Sequence, residues 1–239
     1  MKKFLPIILL VVGLLVFGGV YFFVIRKPAV ETIVDDEDTS SLIEIAFEDR
    51  PLVTLTPRSD GHWLDLTLSN LGKFKAESLE YELVYQVPDK GQQGTGGKLA
   101  LTGSDIEKEI LIGSESSGNY YYDSGVETGM FTLKFRNDKG KLIAKFSTEF
   151  HIQTDTDTLT NVDGDFVVTL DESSDEYFVV MDTIGFPELL DGEVSKGPYG
   201  VFTSSSDPIA GKTNLSGNVT VFNESSEVSS ALGVFVVTQ

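Results

Sequence analysis

The chain alternates between apolar and polar residues at every second position from about residue 43 onward. Leu64, Leu66 and Leu68 are separated by polar residues, and residues 43–47 and 81–87 repeat this pattern. Successive side chains of a strand point to opposite faces, so a period of two predicts strands with one buried and one solvated face. No long segment has the helical period, and the chain is therefore predicted to be all-β.

The clearest predicted hairpin runs from Phe131 to Ile152. Apolar residues alternate through both arms, and Asn137-Asp138-Lys139-Gly140 between them has the composition of a tight turn. By contrast, the glycine-rich stretch 91–97 is predicted to be a loop joining two strands. It does not match a phosphate-binding loop, because Gln92 occupies the first glycine position and Leu99 follows Lys98.

Strands at intervals of 8–15 residues predict an antiparallel β-sandwich over residues 41–152. Residues 153–165 are predicted to be an acidic linker, and residues 166–239 a second β-rich module. The alternation leaves open whether this module folds independently or extends the first. Its predicted strands are Phe166–Leu170, Tyr177–Met181, Tyr199–Thr203, Val219–Phe222 and Gly233–Thr238.

An uncharged apolar segment from Phe4 to Ile25 precedes this β-rich body. As a helix it would reach roughly 33 Å, enough to cross a bilayer core of about 30 Å. Residues 1–27 are therefore predicted to be a transmembrane anchor that contacts lipid through residues 4–25, followed by an acidic stalk over 28–40. A cleaved signal peptide is the alternative, although the apolar run continues past Val16-Phe17-Gly18, its nearest approximation to a cleavage site.

Cations lie at both ends of this segment, with a slight excess at the N-terminus. The positive-inside rule therefore favours a cytoplasmic N-terminus and an extracytoplasmic body, and predicts a single-pass protein of the cell membrane. The chain has 37 acidic and 18 basic residues, a formal net charge of −19. Such a charge repels phosphate backbones and argues against nucleic-acid binding. Cysteine is absent, which excludes disulfides and thiolate metal sites.

Five oxygen-bearing side chains within the predicted linker make calcium the one candidate cofactor. An EF-hand is excluded, because aligning Gly164 with the invariant glycine puts Leu159 at position one and Leu170 at position twelve. A looser calcium site between modules and a solvated acidic linker are the two remaining interpretations. The candidate ligands are Asp155, Asp157, Asn161, Asp163 and Asp165.

Three consecutive tyrosines, Tyr120, Tyr121 and Tyr122, form the candidate recognition surface. Neighbouring residues of a strand point to opposite faces, so at least one ring is expected to be exposed. Exposed tyrosines suit protein or glycan surfaces, and an edge strand with ordinary packing is the competing interpretation. His62 and His151 have no partner at metal-ligand spacing, and no serine-hydrolase motif is present. The chain is therefore predicted not to be an enzyme.

The segment from Leu66 to Ala76, with Asn70 and Gly72 at its turn, resembles the strand–turn–strand of immunoglobulin-like modules of the bacterial cell-adhesion (CARDB-type) kind. The resemblance covers about residues 42–152. It implies a spacer or recognition unit on the cell surface. No family is recognised for residues 155–239.

These observations together predict a membrane-anchored, extracytoplasmic protein that works by binding or scaffolding, with a surface protein or a glycan as its partner. Two alternatives come from other classes. One is an envelope hydrolase that uses a carboxylate pair on glycans, which requires a cleft with two carboxylates about 5–10 Å apart. The other is an accessory subunit of a membrane complex.

Overall fold

The computed structural model of the protein describes residues 42, 45–73, 75–188, 190, 192–222 and 231–239. The predicted anchor (1–27) and stalk (28–40) lie outside the described residues. Residues Ser41–Gln239 form one compact unit. Within the described part, no helix has the length and apolar character needed to cross a membrane.

The unit is built almost entirely of strands, as the alternation predicts. Sixteen strands are described: β1 (Leu52–Pro57), β2 (Trp63–Ser69), β3 (Ser78–Val87), β4 (Gly91–Ala100), β5 (Ile106–Leu111), β6 (Gly113–Ser116), β7 (Asn119–Tyr122), β8 (Thr128–Arg136), β9 (Leu142–Gln153), β10 (Thr156–Thr160), β11 (Val167–Ser174), β12 (Phe178–Asp182), β13 (Val194–Thr203), β14 (Gly211–Thr213), β15 (Asn218–Phe222) and β16 (Gly233–Thr238).

The central element is an eight-stranded sheet with the order β15-β16-β13-β12-β9-β8-β3-β4. Two three-stranded sheets, β1-β2-β5 and β10-β11-β14, accompany it, together with the two-stranded β6-β7 hairpin. All of the strand pairs are antiparallel. The all-β, antiparallel prediction is thus confirmed for the described residues.

Strand β12 shows how the sheets are layered. Val179 and Met181 belong to one hydrophobic core together with Leu66 of β2, whereas Phe178 and Val180 belong to a second core with Val168 of β11. Because alternate residues point to opposite faces, the two small sheets cover opposite faces of the large one. This burial on both sides is the reason why residues 178–181 are apolar without alternation.

The same strand joins the two predicted modules. β12 pairs with β9 through Val179↔Ile152 and Met181↔Phe150, so the large sheet is continuous across residues 153–165. That segment contains β10, which pairs with β11 after a register shift between Thr156 and Thr158. Residues 156–160 of the predicted linker are thus part of a sheet, and Leu159 is buried in the core that contains Val168 of β11.

The hairpin predicted from Phe131 to Ile152 is present as β8 and β9. Its turn has Gly140 at φ +74°, and the side-chain oxygen of Asn137 accepts hydrogen bonds from the backbone N–H groups of Lys139 and Lys141, both at 3.0 Å. The Asn137 side chain thus satisfies backbone N–H groups within the turn, as the turn-forming composition predicts.

Two local predictions are wrong. A strand was expected over residues 43–47, of which 43 and 44 lie outside the described residues; residues 45 and 46 are not in a strand, and Phe47–Asp49 form a 3-10 turn. The Arg50 side chain stabilises this turn by donating to the carbonyl of Ile45 at 2.8 Å, with its guanidinium 3.9 Å from the Phe47 ring centroid.

The second error concerns the glycine-rich stretch 91–97, which is not a loop but most of strand β4. A β-carbon at Gly96 would lie 2.7 Å from the carbonyl oxygen of Tyr81, and one at Gly97 would lie 3.0 Å from the Tyr81 ring. The glycines therefore permit a close approach of β4 to β3, a role that composition alone does not distinguish from turn formation.

Candidate recognition surface

The three tyrosines lie on β7, the second strand of the short β6-β7 hairpin. Tyr120 is 49% exposed, Tyr121 58% and Tyr122 43%. The prediction that at least one of these rings is exposed is therefore confirmed. The hairpin is reversed by Ser117 and Gly118, both at positive φ. Such exposure of three adjacent large rings is unusual for residues that serve only the core.

Tyr120 and Tyr122 extend toward the N-terminal end of β2 and form an aromatic cluster with it. The Tyr122 ring stacks on His62 with centroids 4.2 Å apart and an interplanar angle of 10°. Tyr120 meets Trp63 edge-to-face at 5.5 Å. The two tyrosine rings are nearly parallel, at 12°, with centroids 6.4 Å apart. We refer to His62, Trp63, Tyr120 and Tyr122 as the aromatic surface.

A buried carboxylate fixes the end of the hairpin that carries this surface. Asp123 follows Tyr122 directly and is only 6% exposed. It accepts hydrogen bonds from the hydroxyl of Tyr85 at 3.0 Å and from Nζ of Lys90 at 2.5 Å. Burial, and next the hydrogen bond to Asp123, raise the pKa of Tyr85, which keeps this phenol a donor. The rings are therefore held on a rigid base.

The nearby cation Arg58 is paired with two carboxylates of the same chain. Arg58 lies with its guanidinium carbon 5.8 Å from the Trp63 ring centroid, and it donates to Asp65 at 2.7 Å and to Glu109. Hydrogen bonds to these two carboxylates, that to Asp65 foremost, raise the pKa of Arg58. Because these carboxylates engage its guanidinium, Arg58 is not available to pair with an anionic group on the aromatic surface.

A groove of about 480 Å³ opens beside the aromatic surface and shares His62 with it. The fold brings both histidines of the chain to this groove, although 89 residues separate them (151 − 62). Nδ1 of His62 is buried without a hydrogen-bond partner, whereas Nδ1 of His151 lies 2.9 Å from the carbonyl oxygen of Thr160. Sequence spacing could not reveal this juxtaposition, because it depends on the packing of β2 near β9.

The predicted calcium ligands are divided between two ends of β10. Asp155 and Asp157 lie where that strand begins, while Asn161, Asp163 and Asp165 lie in the turn that follows it. No group of three histidines or carboxylates that could hold a metal ion occurs among the described residues. Calcium binding stays a prediction of the sequence.

Within that turn, Asn161 has a structural role. Its buried side-chain amide donates to Asp165 at 2.7 Å and to Asp182 at 3.2 Å, and its oxygen accepts the N–H of Phe166 at 3.1 Å. The bonds to Asp165 and Phe166 lie within the β10–β11 turn, and the bond to Asp182 holds this turn against β12. Asp182, which lies 17 residues beyond Asp165 (182 − 165), was missed from sequence because it reaches this cluster through the neighbouring strand.

The electrostatics of this turn reflect crowded carboxylates. Desolvation raises the pKa of Asp182, and repulsion from Asp165, Asp163 and Glu149 raises it further. Burial and the same acidic surroundings raise the pKa of Tyr199 to about 12. Its hydroxyl lies 3.4 Å from an Asp165 oxygen. The cluster thus carries unfavourable charge at neutral pH.

No family model, curated protein or solved structure matches this chain. The resemblance of residues 66–76 to a cell-adhesion module therefore stays an expectation. In the structure this segment covers the end of β2 and a 3-10 turn, Leu71–Lys73, with Asn70 at φ +61°.

Proposed function

We propose that the chain is a membrane-anchored, extracytoplasmic binding protein whose aromatic surface recognises an uncharged partner. The observation that carries the proposal is the exposure of Tyr120, Tyr121 and Tyr122 on a hairpin whose base is fixed by buried Asp123. Tyrosine offers a large apolar face and a polar tip while losing little conformational entropy on binding. A rigid base reduces the ordering cost further.

Charge narrows the partner class. With a net charge of −19 and Arg58 already paired with Asp65 and Glu109, the surface disfavours anionic partners. Neutral glycan chains fit it well, since sugar rings stack on aromatic faces and their hydroxyls can bond to polar groups such as those lining the adjacent groove. An uncharged protein surface is the second fitting class, and the sequence-derived proposal includes both.

The single tryptophan of the chain provides a direct test. Trp63 contacts Tyr120, so a ligand on the aromatic surface is expected to change Trp63 fluorescence. The probes are soluble neutral oligosaccharides of the cello, xylo and manno series, titrated into the purified full chain. Saturable changes that disappear in Tyr120→Ala and in Tyr122→Ala would support the proposal.

Val221→Ala is the matched control, because Val221 is similarly exposed, at 44%, but lies on β15, outside this surface. Loss of binding in this control as well would indicate a general defect. The absence of any saturable response would leave the protein-surface class, which immobilised chain and cell-envelope extracts can test with the same variants. Equal capture by wild type, Tyr120→Ala and Tyr122→Ala would refute a role for the tyrosines.

The location of the body is a separate part of the proposal. A C-terminal epitope tag on the full chain should be removed by protease added to intact cells, or to cells whose outer envelope has been opened. Protection until the inner membrane is lysed would place the body in the cytoplasm and contradict this location. For the hydrolase alternative, Asp123 of the groove is already engaged by Tyr85 and Lys90, which does not favour a catalytic role for it.

A further inference from the structure

Strand β4 is an edge of the eight-stranded sheet and has little of the usual protection of such an edge. Its ten residues pair with β3 without a register shift, from Ser78↔Ala100 to Val87↔Gly91. It contains no proline, and Lys98 is its single charged residue. An edge of this kind presents a row of unpaired backbone donors and acceptors to any strand that approaches.

The other edges that the structure describes are protected by the devices known from natural sheets. β1 contains Pro57, and β5 carries Glu107, Lys108 and Glu109. β10 has a register shift, and β6, β7, β14 and β15 are only three to five residues long. Among the described edges, β4 is therefore the one suited to strand addition.

We propose that β4 pairs with β4 of a second copy of this chain, in antiparallel register centred on Thr95, and so forms a symmetric dimer with a continuous sheet. Paired strands must match residues of the same face, so the sum of the two residue numbers is even in any allowed register. A centre at Thr95 satisfies this condition. It also makes the strand complementary to itself.

The face shared with the core is complementary in size. Gln93, Thr95 and Gly97 lie on this face, since they pair with Tyr85, Leu83 and Tyr81 of the buried side of β3. In the proposed register, Gln93 of one copy meets Gly97 of the other, and Thr95 meets Thr95. A long side chain then faces a glycine, and two threonines form a favourable cross-strand pair.

The exposed face is complementary in size and charge. Gly94 meets Gly96, so no side chains collide at the centre, and Lys98 meets Gln92 of the second copy. No like charges face each other directly across the new ladder. A second copy is thus accommodated without a clash or an unpaired charge on either face, which is the argument for this occupant over an unrelated peptide.

Charge exchange tests this register in the full chain, purified in detergent, by sedimentation velocity over a range of concentrations. Gln92→Lys puts a lysine opposite Lys98 at two symmetric positions, and we expect the dissociation constant to rise roughly two- to thirtyfold. Adding Lys98→Gln to this variant exchanges the two residues and should restore dimerisation. Lys98→Gln alone, which avoids placing an acid opposite Glu80 of β3, should dimerise like the wild type and is the matched control.

A spin label supplies a second readout, because the chain has no cysteine of its own. Gln92→Cys carrying a nitroxide should give a distance of roughly 20 Å between the two backbone positions, six residues apart along the ladder. Raising the salt concentration should strengthen the dimer, since it screens the repulsion between two chains of charge −19.

The outcomes separate the proposed interface from association through the N-terminal segment. A dimer that is indifferent to Gln92→Lys and gives no defined label distance would show that another surface joins the copies, and would overturn the proposal. A chain that is monomeric at every concentration would overturn it too, including the case in which β4 accepts a strand from another protein.

Discussion

Unfolding of the body should be a single event, because β12 supports two hydrophobic cores at once. Phe178 and Met181 are both fully buried, but Phe178 packs in the core with β11 and Met181 in the core with β2. Replacing either by alanine leaves a cavity. We expect losses of about 3–5 kcal/mol for Phe178→Ala and about 2–5 kcal/mol for Met181→Ala in the free energy of unfolding.

The assay is urea unfolding of residues 41–239, followed by far-ultraviolet circular dichroism and by Trp63 fluorescence. Circular dichroism reports on all strands, whereas Trp63 lies on β2, in the small sheet on the Met181 side. With a denaturant dependence of about 2–3 kcal/mol per molar urea, Phe178→Ala should lower the midpoint by about 1–2 M. Because the large sheet is shared, Trp63 should report the same shift although Phe178 faces the other core.

Val221→Ala, at an exposed position of β15, is the control and should change the midpoint very little. The reasoning is refuted if Phe178→Ala shifts only part of the dichroism signal while the Trp63 transition keeps its wild-type midpoint. Residues 166–239 would then unfold independently, as a separate module.

Two further predictions concern the acidic turn after β10. The pKa of Asp182 is raised in the folded state, so its ionised carboxylate destabilises the fold at neutral pH. Asp182→Asn should therefore raise the melting temperature at pH 7. This gain should vanish as the pH falls below the unfolded pKa of about 3.9, where the carboxyl group of the wild type is protonated in both states. An unchanged gain at low pH would contradict this cause. For calcium, we expect millimolar CaCl2 to raise the melting temperature no more than MgCl2 does. Asn161 is engaged by protein groups, and Asp155 lies at the other end of β10. A calcium-specific rise that Asp163→Asn removes would instead establish the site.

The strands that the sequence predicts well are those whose two faces have different surroundings. In β2 and β3 the buried residues alternate strictly, from Leu64 to Leu68 and from Leu79 to Val87, because one face meets the core and the other meets solvent. Alternation of apolar and polar residues with a period of two therefore indicates a strand that is buried on one face only. The apolar run of β12 was also recognised, since burial on both faces removes the alternation without removing the β-forming residues.

Secondary structure was predicted wrongly where the same local composition occurs in two kinds of structure. Glycine in β4 permits close approach to Tyr81, yet glycine-rich segments are more often turns, and only the partner strand distinguishes the two. The acidic threonine-rich segment around β10 has the composition of a linker, and its strand exists because β11 supplies the ladder. In both cases the deciding contact comes from a residue far along the chain or from a neighbouring strand.

The candidate recognition surface could be predicted only in part, because some of its residues are consecutive in the sequence and others are brought together by folding. Tyr120, Tyr121 and Tyr122 are consecutive, so strand geometry alone requires that they cover both faces, and exposure follows for a hairpin too short to be enclosed. His62, Trp63 and Asp123 complete that surface through packing and a buried hydrogen bond, which no spacing rule encodes. The proposed recognition surface therefore depends on residues that the fold assembles around three tyrosines that are evident in the sequence.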